Sequence, residues 1–179
     1  MRPLPSLKII LKPRIVHGIK ASWNFYNDIP PLNIIASPRD KNWKERVKEE
    51  KRVFSVWIRF NPSAPFRNLR LSNTNPRKFL IDVNLGELFK LKRDKWRTVT
   101  ILIPLNYPRQ YPTIGDPSTD GEFLSMLREW TGYKPFCMPP IFRAWWYSFK
   151  GKAGIAHFLQ AFSFFLSIAG RKTSKQLRL

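Results

Sequence analysis

One residue in the chain carries a thiol. It is Cys137, set in Lys134-Pro-Phe-Cys137-Met-Pro-Pro-Ile-Phe-Arg143 between two cations. Cysteine attacks a carbonyl as its thiolate, and nearby positive charge favours that form. Nucleophilic attack by a thiolate is therefore the chemistry within reach of these residues. A papain-like protease would need a Cys-His pair, but the two histidines are His17, near the start, and His157, in a long apolar stretch. His157 reads as a packed structural residue rather than a base. Free cysteine is also among the residue types most often buried as inert core, so the surroundings must decide between nucleophile and filler.

Help with protons is restricted in the same region. No Asp or Glu follows Glu129, so the carboxylates nearest Cys137 in sequence are Asp116, Asp120, Glu122 and Glu129. One cysteine and two histidines are too few for a zinc site of sulfur and imidazole, and no metal or cofactor is implied. A single cysteine also forbids an internal disulfide and suits a reducing compartment such as the cytoplasm.

Charge is the strongest compositional signal, with 32 basic against 12 acidic residues, a net +20. Asp28 is the first acid and Glu129 the last, so both ends are basic. Such an excess attracts nucleic acid, anionic membrane or acidic protein, and says little about fold. The basic ends could touch RNA or a membrane surface. If the chain binds RNA, its seven tryptophans would serve as stacking platforms; packed at core positions, they would not.

The elements that must position Cys137 form one domain at this length. We expect a basic extension over residues 1–28, a domain over 29–170 and a basic tail over 171–179. Lys8, Lys12 and Arg14 interrupt any secretory apolar core in the extension. Its basic, acid-poor start leaves a transit peptide, and so an organelle, as the alternative location. The apolar run Phe158–Ala169 is about 18 Å long as a helix, too short to span a bilayer.

Within the domain, a long helix is expected from Ser37 to about residue 60, stopped before Pro62. Trp43, Val47, Phe54, Trp57 and Ile58 form its apolar face. Strands are expected at Phe66–Leu71, Lys78–Leu85 and Trp96–Ile103, with a turn at Arg93-Asp94 between the last two, as an antiparallel meander. Pro104 to Pro117 is a proline-stiffened extended loop. Asp120 to Lys134 reads as loop with at most one helical turn, and a closing helix runs from about Lys152 to Ala169. The fold class is α+β.

Four stretches in this order resemble the conjugating enzymes for ubiquitin-fold modifier, a branch of the ubiquitin-conjugating superfamily. They are Ile29-Pro-Pro-Leu with Pro38-Arg-Asp40 and Trp43-Lys-Glu-Arg-Val-Lys-Glu-Glu50; Leu105-Asn-Tyr-Pro-Arg-Gln-Tyr-Pro-Thr-Ile-Gly-Asp-Pro-Ser-Thr-Asp-Gly121; Cys137 with Phe142 and Trp146; and Gly154-Ile-Ala-His157. The resemblance covers about residues 29–170. It implies a ubiquitin-conjugating-like fold and a transferase in which Cys137 takes the modifier from an activating enzyme as a thioester. The modifier then passes to a substrate lysine, usually with a ligase. Arg39, Trp43 and Arg46 are the expected partner contacts, and Ser125, Asp120 and Lys134 the expected neighbours of the cysteine. The sequence departs from the family where Thr-Ala-Lys is replaced by Phe123-Leu124-Ser125, leaving Ser125 as the nearby hydroxyl. About four extra residues lie before Cys137, and Pro140 and Ile141 stand at acidic and histidine positions. Two other readings compete: a scaffold of this fold that has lost thiol chemistry, and a basic RNA-binding protein.

Overall fold

The computed structural model describes residues 29–132 and 138–176, with side chains described as far as Gly170. Cys137, Lys134 and the 1–28 extension lie outside the described residues.

The longest described element before the sheet is α1, Trp43–Phe60. It starts later than Ser37 because Asp40 competes for the backbone there. The Asp40 carboxylate accepts the Ser37 amide at 2.6 Å, and the Asp40 amide donates to the Ser37 carbonyl at 3.0 Å. A short carboxylate closing a turn in this way offers the chain an alternative to helix. The helix ends at Phe60, as the following Pro62 requires.

Four antiparallel strands follow in sequential order: β1 (Phe66–Leu71), β2 (Lys78–Asn84), β3 (Trp96–Leu102) and β4 (Thr113–Ile114). Register places Val83 opposite Phe66 and Arg97, and Ile101 opposite Phe79 and Ile114. Alternation then sends Phe79, Ile81 and Val83, all fully buried, to the inner face with Val99 and Ile101. Each such side chain contributes about 1.5–3 kcal/mol by leaving water. A bulge in β1 contains Asn68 at φ 56, a conformation that Asn tolerates better than most residues.

The connection between β2 and β3 is wider than a turn at Arg93-Asp94. It contains the short helix α2, Leu85–Leu88, whose first turn is capped by Asn84. The same Asn84 oxygen accepts the Lys95 amide at 3.2 Å. Gly86 permits this arrangement, because a Cβ there would collide with the Arg93 carbonyl.

Three helices complete the chain: α3 (Gly121–Trp130), α4 (Pro140–Ser148) and α5 (Ile155–Gln176). The expected loop after Asp120 is thus mostly helix, carried by Phe123, Leu127 and Trp130 on one inward face. Pro139-Pro140 looks like a breaker in sequence but opens α4, since proline is favoured at the first helical position. The closing helix runs past Ala169 to Gln176. No Gly or Pro interrupts residues 171–176, and cations suit a helix C-terminus. Among the described residues no helix is long and apolar enough to cross a membrane.

Candidate functional site

Before α1, residues 29–36 form a strap across the outside of the domain core. Ile29 and Leu32 are buried. The Leu32 amide donates to the Lys152 carbonyl at 2.8 Å, and the Asn33 and Ile34 amides donate to the Glu49 carboxylate at 2.9 Å each. Burial alone would raise the Glu49 pKa. The two amides, with Arg46 and Arg52, more than offset it and hold the carboxyl below its ordinary value.

Under the strap lies a buried polar cluster. Arg46 is fully buried and donates to the Gly151 carbonyl at 3.2 Å, the Ala153 carbonyl at 2.6 Å and the Ile34 carbonyl. Its Nε reaches Glu50 at 2.8 Å and its second amino group the Tyr107 hydroxyl at 3.2 Å. Tyr107 in turn donates to Glu50. Burial, then the Glu50 charge, pushes the phenol well above its ordinary pKa, so it stays protonated and donating. Burial would lower the Arg46 pKa, but Tyr107 and Glu50 reverse that and raise it. The second Glu50 oxygen accepts the Ile155 amide at 2.8 Å, at the start of α5. One cluster therefore fixes α1, the proline-rich loop and the α4–α5 connection together.

Trp43 and Arg46 are accordingly structural. Both are buried, at 6% and 0% exposure. Arg39, in the turn before α1, is exposed. Three aromatic residues continue the cluster toward α4. Phe142 packs edge-on against Tyr111 with centroids 5.0 Å apart and lies 5.9 Å from Trp146. The Trp146 indole donates to the Pro108 carbonyl at 2.8 Å. Phe142 and Trp146 thus anchor the helix that follows the cysteine segment, and Met138 beside that segment is buried too.

On the other side of the segment is α3, pinned at both ends. The Asp120 carboxylate accepts the Thr100 amide at 2.9 Å and the Asp116 amide at 2.7 Å, tying the helix start to β3. Trp130 Nε1 donates to the Leu166 carbonyl of α5 at 2.9 Å. Among the candidate acids, Asp120 is thus a buried structural acceptor. Asp116 pairs with Lys78 at 2.6 Å and accepts from Ser118, which holds its pKa far below the usual carboxylate range. Glu122 is bound by Lys95 and Arg97, which lower its pKa in the same way. Glu129 is exposed and makes no ion pair among the described residues. Ser125 is exposed as well, one turn before Glu129 on the outer face of α3. The structure brings Glu122, Ser125 and Glu129 onto that face.

His157 is buried in the first turn of α5, where its Nδ1 accepts the Gly154 amide at 3.1 Å. Burial depresses its pKa to about 3; the Ile29 backbone only softens that shift, and Arg46 deepens it. It is a neutral, packed residue. A cleft of about 980 Å³ opens beside the cluster, floored by Pro108 and Trp146 and edged by Ile35, Arg109, Tyr147 and Lys150. Ile35, at 56% exposure, and Tyr147, at 61%, offer apolar surface at its mouth. Sequence reasoning did not find this cleft, because its walls come from three separated stretches with no shared motif.

Comparison with known proteins agrees with this architecture. The sequence model of the family described as Ubiquitin-fold modifier-conjugating enzyme 1 matches residues 23–168. Among curated proteins, the chain is similar to Ubiquitin-fold modifier-conjugating enzyme 1 of Oryza sativa subsp. japonica, 30% identical over 141 residues. That alignment covers 78% of this chain and 74% of the rice protein. The protein of the same name from Brugia malayi is 31% identical over 138 residues, covering 75% of this chain and 77% of its own length. Its Arabidopsis thaliana counterpart is 30% identical over 139 residues, 73% of each chain.

Proposed function

The chain belongs to the ubiquitin-fold modifier-conjugating enzyme family, and from that premise we propose that Cys137 is the residue through which it works. As a family member it is a transferase of a ubiquitin-like conjugation pathway. The Cys137 thiolate attacks the thioester carbonyl that joins the modifier to its activating enzyme. The activating enzyme's thiolate leaves, and the modifier is now held on Cys137. A substrate lysine amine then attacks the same carbonyl, loses a proton, and expels the Cys137 thiolate as the isopeptide bond forms. A ligase brings the substrate. A reducing cytoplasm suits a free thiol of this kind.

The observation that carries this reading is the family match itself, which spans the chain's one cysteine without a second thiol to compete for the role. Neither His157 nor Asp120 is free to act as a base, which fits transthiolation between thiolates better than a hydrolytic mechanism. We assign partner docking to the cleft edged by Ile35 and Tyr147, with exposed Arg39 nearby in sequence, in place of Trp43 and Arg46.

The test is to incubate the chain with activating enzyme, ATP and ubiquitin-fold modifier, and to resolve the products on non-reducing gels beside Cys137→Ser. A thiol-sensitive adduct in the wild type, replaced by a thiol-resistant one on the serine, is the expected result. A wild-type chain that stays unloaded would overturn it in favour of the scaffold reading.

A further inference from the structure

Charge is distributed unevenly over the folded domain. Residues 29–170 hold 23 basic and 11 acidic residues, so the domain is basic without its two ends. On the sheet and α3 about half of the cations are paired in place. Arg70 pairs with Asp82, Lys78 with Asp116, Lys90 with Glu87, and Lys95 and Arg97 with Glu122.

Helix α1 is different. Lys44, Lys48, Lys51, Arg52 and Arg59 are all exposed. At about 100° per residue they occupy a single arc of roughly 100° that contains otherwise only Ser55. The line from Lys44 to Arg59 is about 22 Å long at the helical rise. Arg52 lies 3.6 Å from Glu49, while Lys44, Lys48, Lys51 and Arg59 make no ion pair among the described residues. The helix's own acids do not neutralise the arc: Glu49 and Glu50 turn inward, and Glu45 only borders it. Phe60, at the last helical position and 74% exposed, projects outside this arc.

We propose that this face of α1 binds nucleic acid, with the cationic line on the phosphates. The line carries no apolar anchor of the kind that supplies most of the energy in protein interfaces. Phosphate neutralisation with release of counterions needs none. Among the described tryptophans, Trp43, Trp57, Trp145 and Trp146 are buried and Trp96 lies under the Arg67 guanidinium at 3.8 Å, so none of these five offers a free stacking ring.

The experiment is a fluorescence-anisotropy titration of a labelled 20-nucleotide oligouridylate with the full chain over a salt series. Lys44→Glu/Lys48→Glu/Lys51→Glu is compared with Lys92→Glu/Arg93→Glu/Arg128→Glu, which changes net charge equally at exposed positions elsewhere. We expect the α1 triple to weaken binding at least tenfold more than the second triple. Its plot of log affinity against log salt should flatten by about 2 units, three contacts at roughly 0.7 each. Glutamine in place of glutamate at the three α1 positions should keep the order if reversal disturbs folding. Equal losses in the two triples, or no binding by the wild type, would overturn the proposal. Tighter binding of polyglutamate than of the oligonucleotide would reassign the face to an acidic protein.

Discussion

Glu50 accepts the Ile155 amide at 2.8 Å while its other oxygen holds Arg46 at the same distance, so one carboxylate joins α1 to the beginning of α5. Gly154 is adjacent because any Cβ there would strike that carboxylate. Both charges are buried, and removing one leaves the other uncompensated. Glu50→Ala should therefore destabilise the fold by about 3–5 kcal/mol in urea unfolding. Tyr107→Phe, which removes one hydroxyl from the same cluster, should cost about 1–3 kcal/mol. A loss below 1 kcal/mol for Glu50→Ala would mean that water reaches the cluster.

The Trp130 indole occupies the space beside Gly170 that a side chain would fill, and this is how its Nε1 reaches Leu166. Gly170→Ala should push the ring out and loosen α3 from α5, despite the usual gain from alanine in a helix. We expect a loss of about 1–3 kcal/mol and a lower rate of thioester formation. A variant as stable as the parent would show that the ring has another place to go.

Stability should depend on pH through His157. Its folded pKa, about 3, lies below the ordinary 6.5, so the unfolded chain takes up a proton first. The contribution is full above pH 6.5 and is lost as pH falls from there toward 3, at about 1.4 kcal/mol per unit. Between pH 6.5 and 5 the structural carboxylates Glu49 and Asp116 stay ionised, because their pKa values are lowered. Denaturant midpoints measured across that window should slope in the wild type and flatten in His157→Leu. An unchanged slope in the variant would rule out this source.

Asp120 and Ser125 separate structure from chemistry along one helix. Asp120→Ala leaves the buried amides of Thr100 and Asp116 without their acceptor and should cost about 1–3 kcal/mol. Ser125→Ala and Glu129→Gln change exposed side chains and should stay within about 0.5 kcal/mol of the parent. Thermal unfolding of the three variants checks the contrast. Loading and lysine discharge can then be compared in Ser125→Ala and Glu129→Gln without a folding artefact.

Much of this was legible because the responsible signals are local. Alternation wrote β2 and β3 into the sequence within a residue at each end, and the apolar spacing of Trp43, Val47, Phe54 and Trp57 gave most of α1. The family resemblance rested on motifs that the fold uses structurally: Tyr107 in the buried cluster, Trp146 on Pro108, His157 on Gly154. Where reading failed, two or more distant stretches had to be combined. Nothing near Arg46 reveals that its acceptors lie at residues 151 and 153, so an arginine in a charged helix looked like a surface contact. Helix α4 was absent from the reading because proline marks a helix start and a helix break alike. Asp120 looked available because one of its donors, the Thr100 amide, comes from another strand.

The Arg46 cluster also sets a schedule for biosynthesis. Its carbonyl partners lie 105 and 107 residues downstream. At about 5–20 residues per second, a ribosome would need roughly 5–20 s to deliver them after Arg46 itself is made. For that interval α1 can form with Arg46 on its own Glu50 and Glu49 on the strap amides, while water stands in for Gly151, Ala153 and Ile155. The domain can be completed only when nearly all of it has emerged. A chain cut short before Gly151 would present the apolar side of α1, with Trp43, Val47, Phe54 and Trp57, to whatever binds nascent hydrophobic surface.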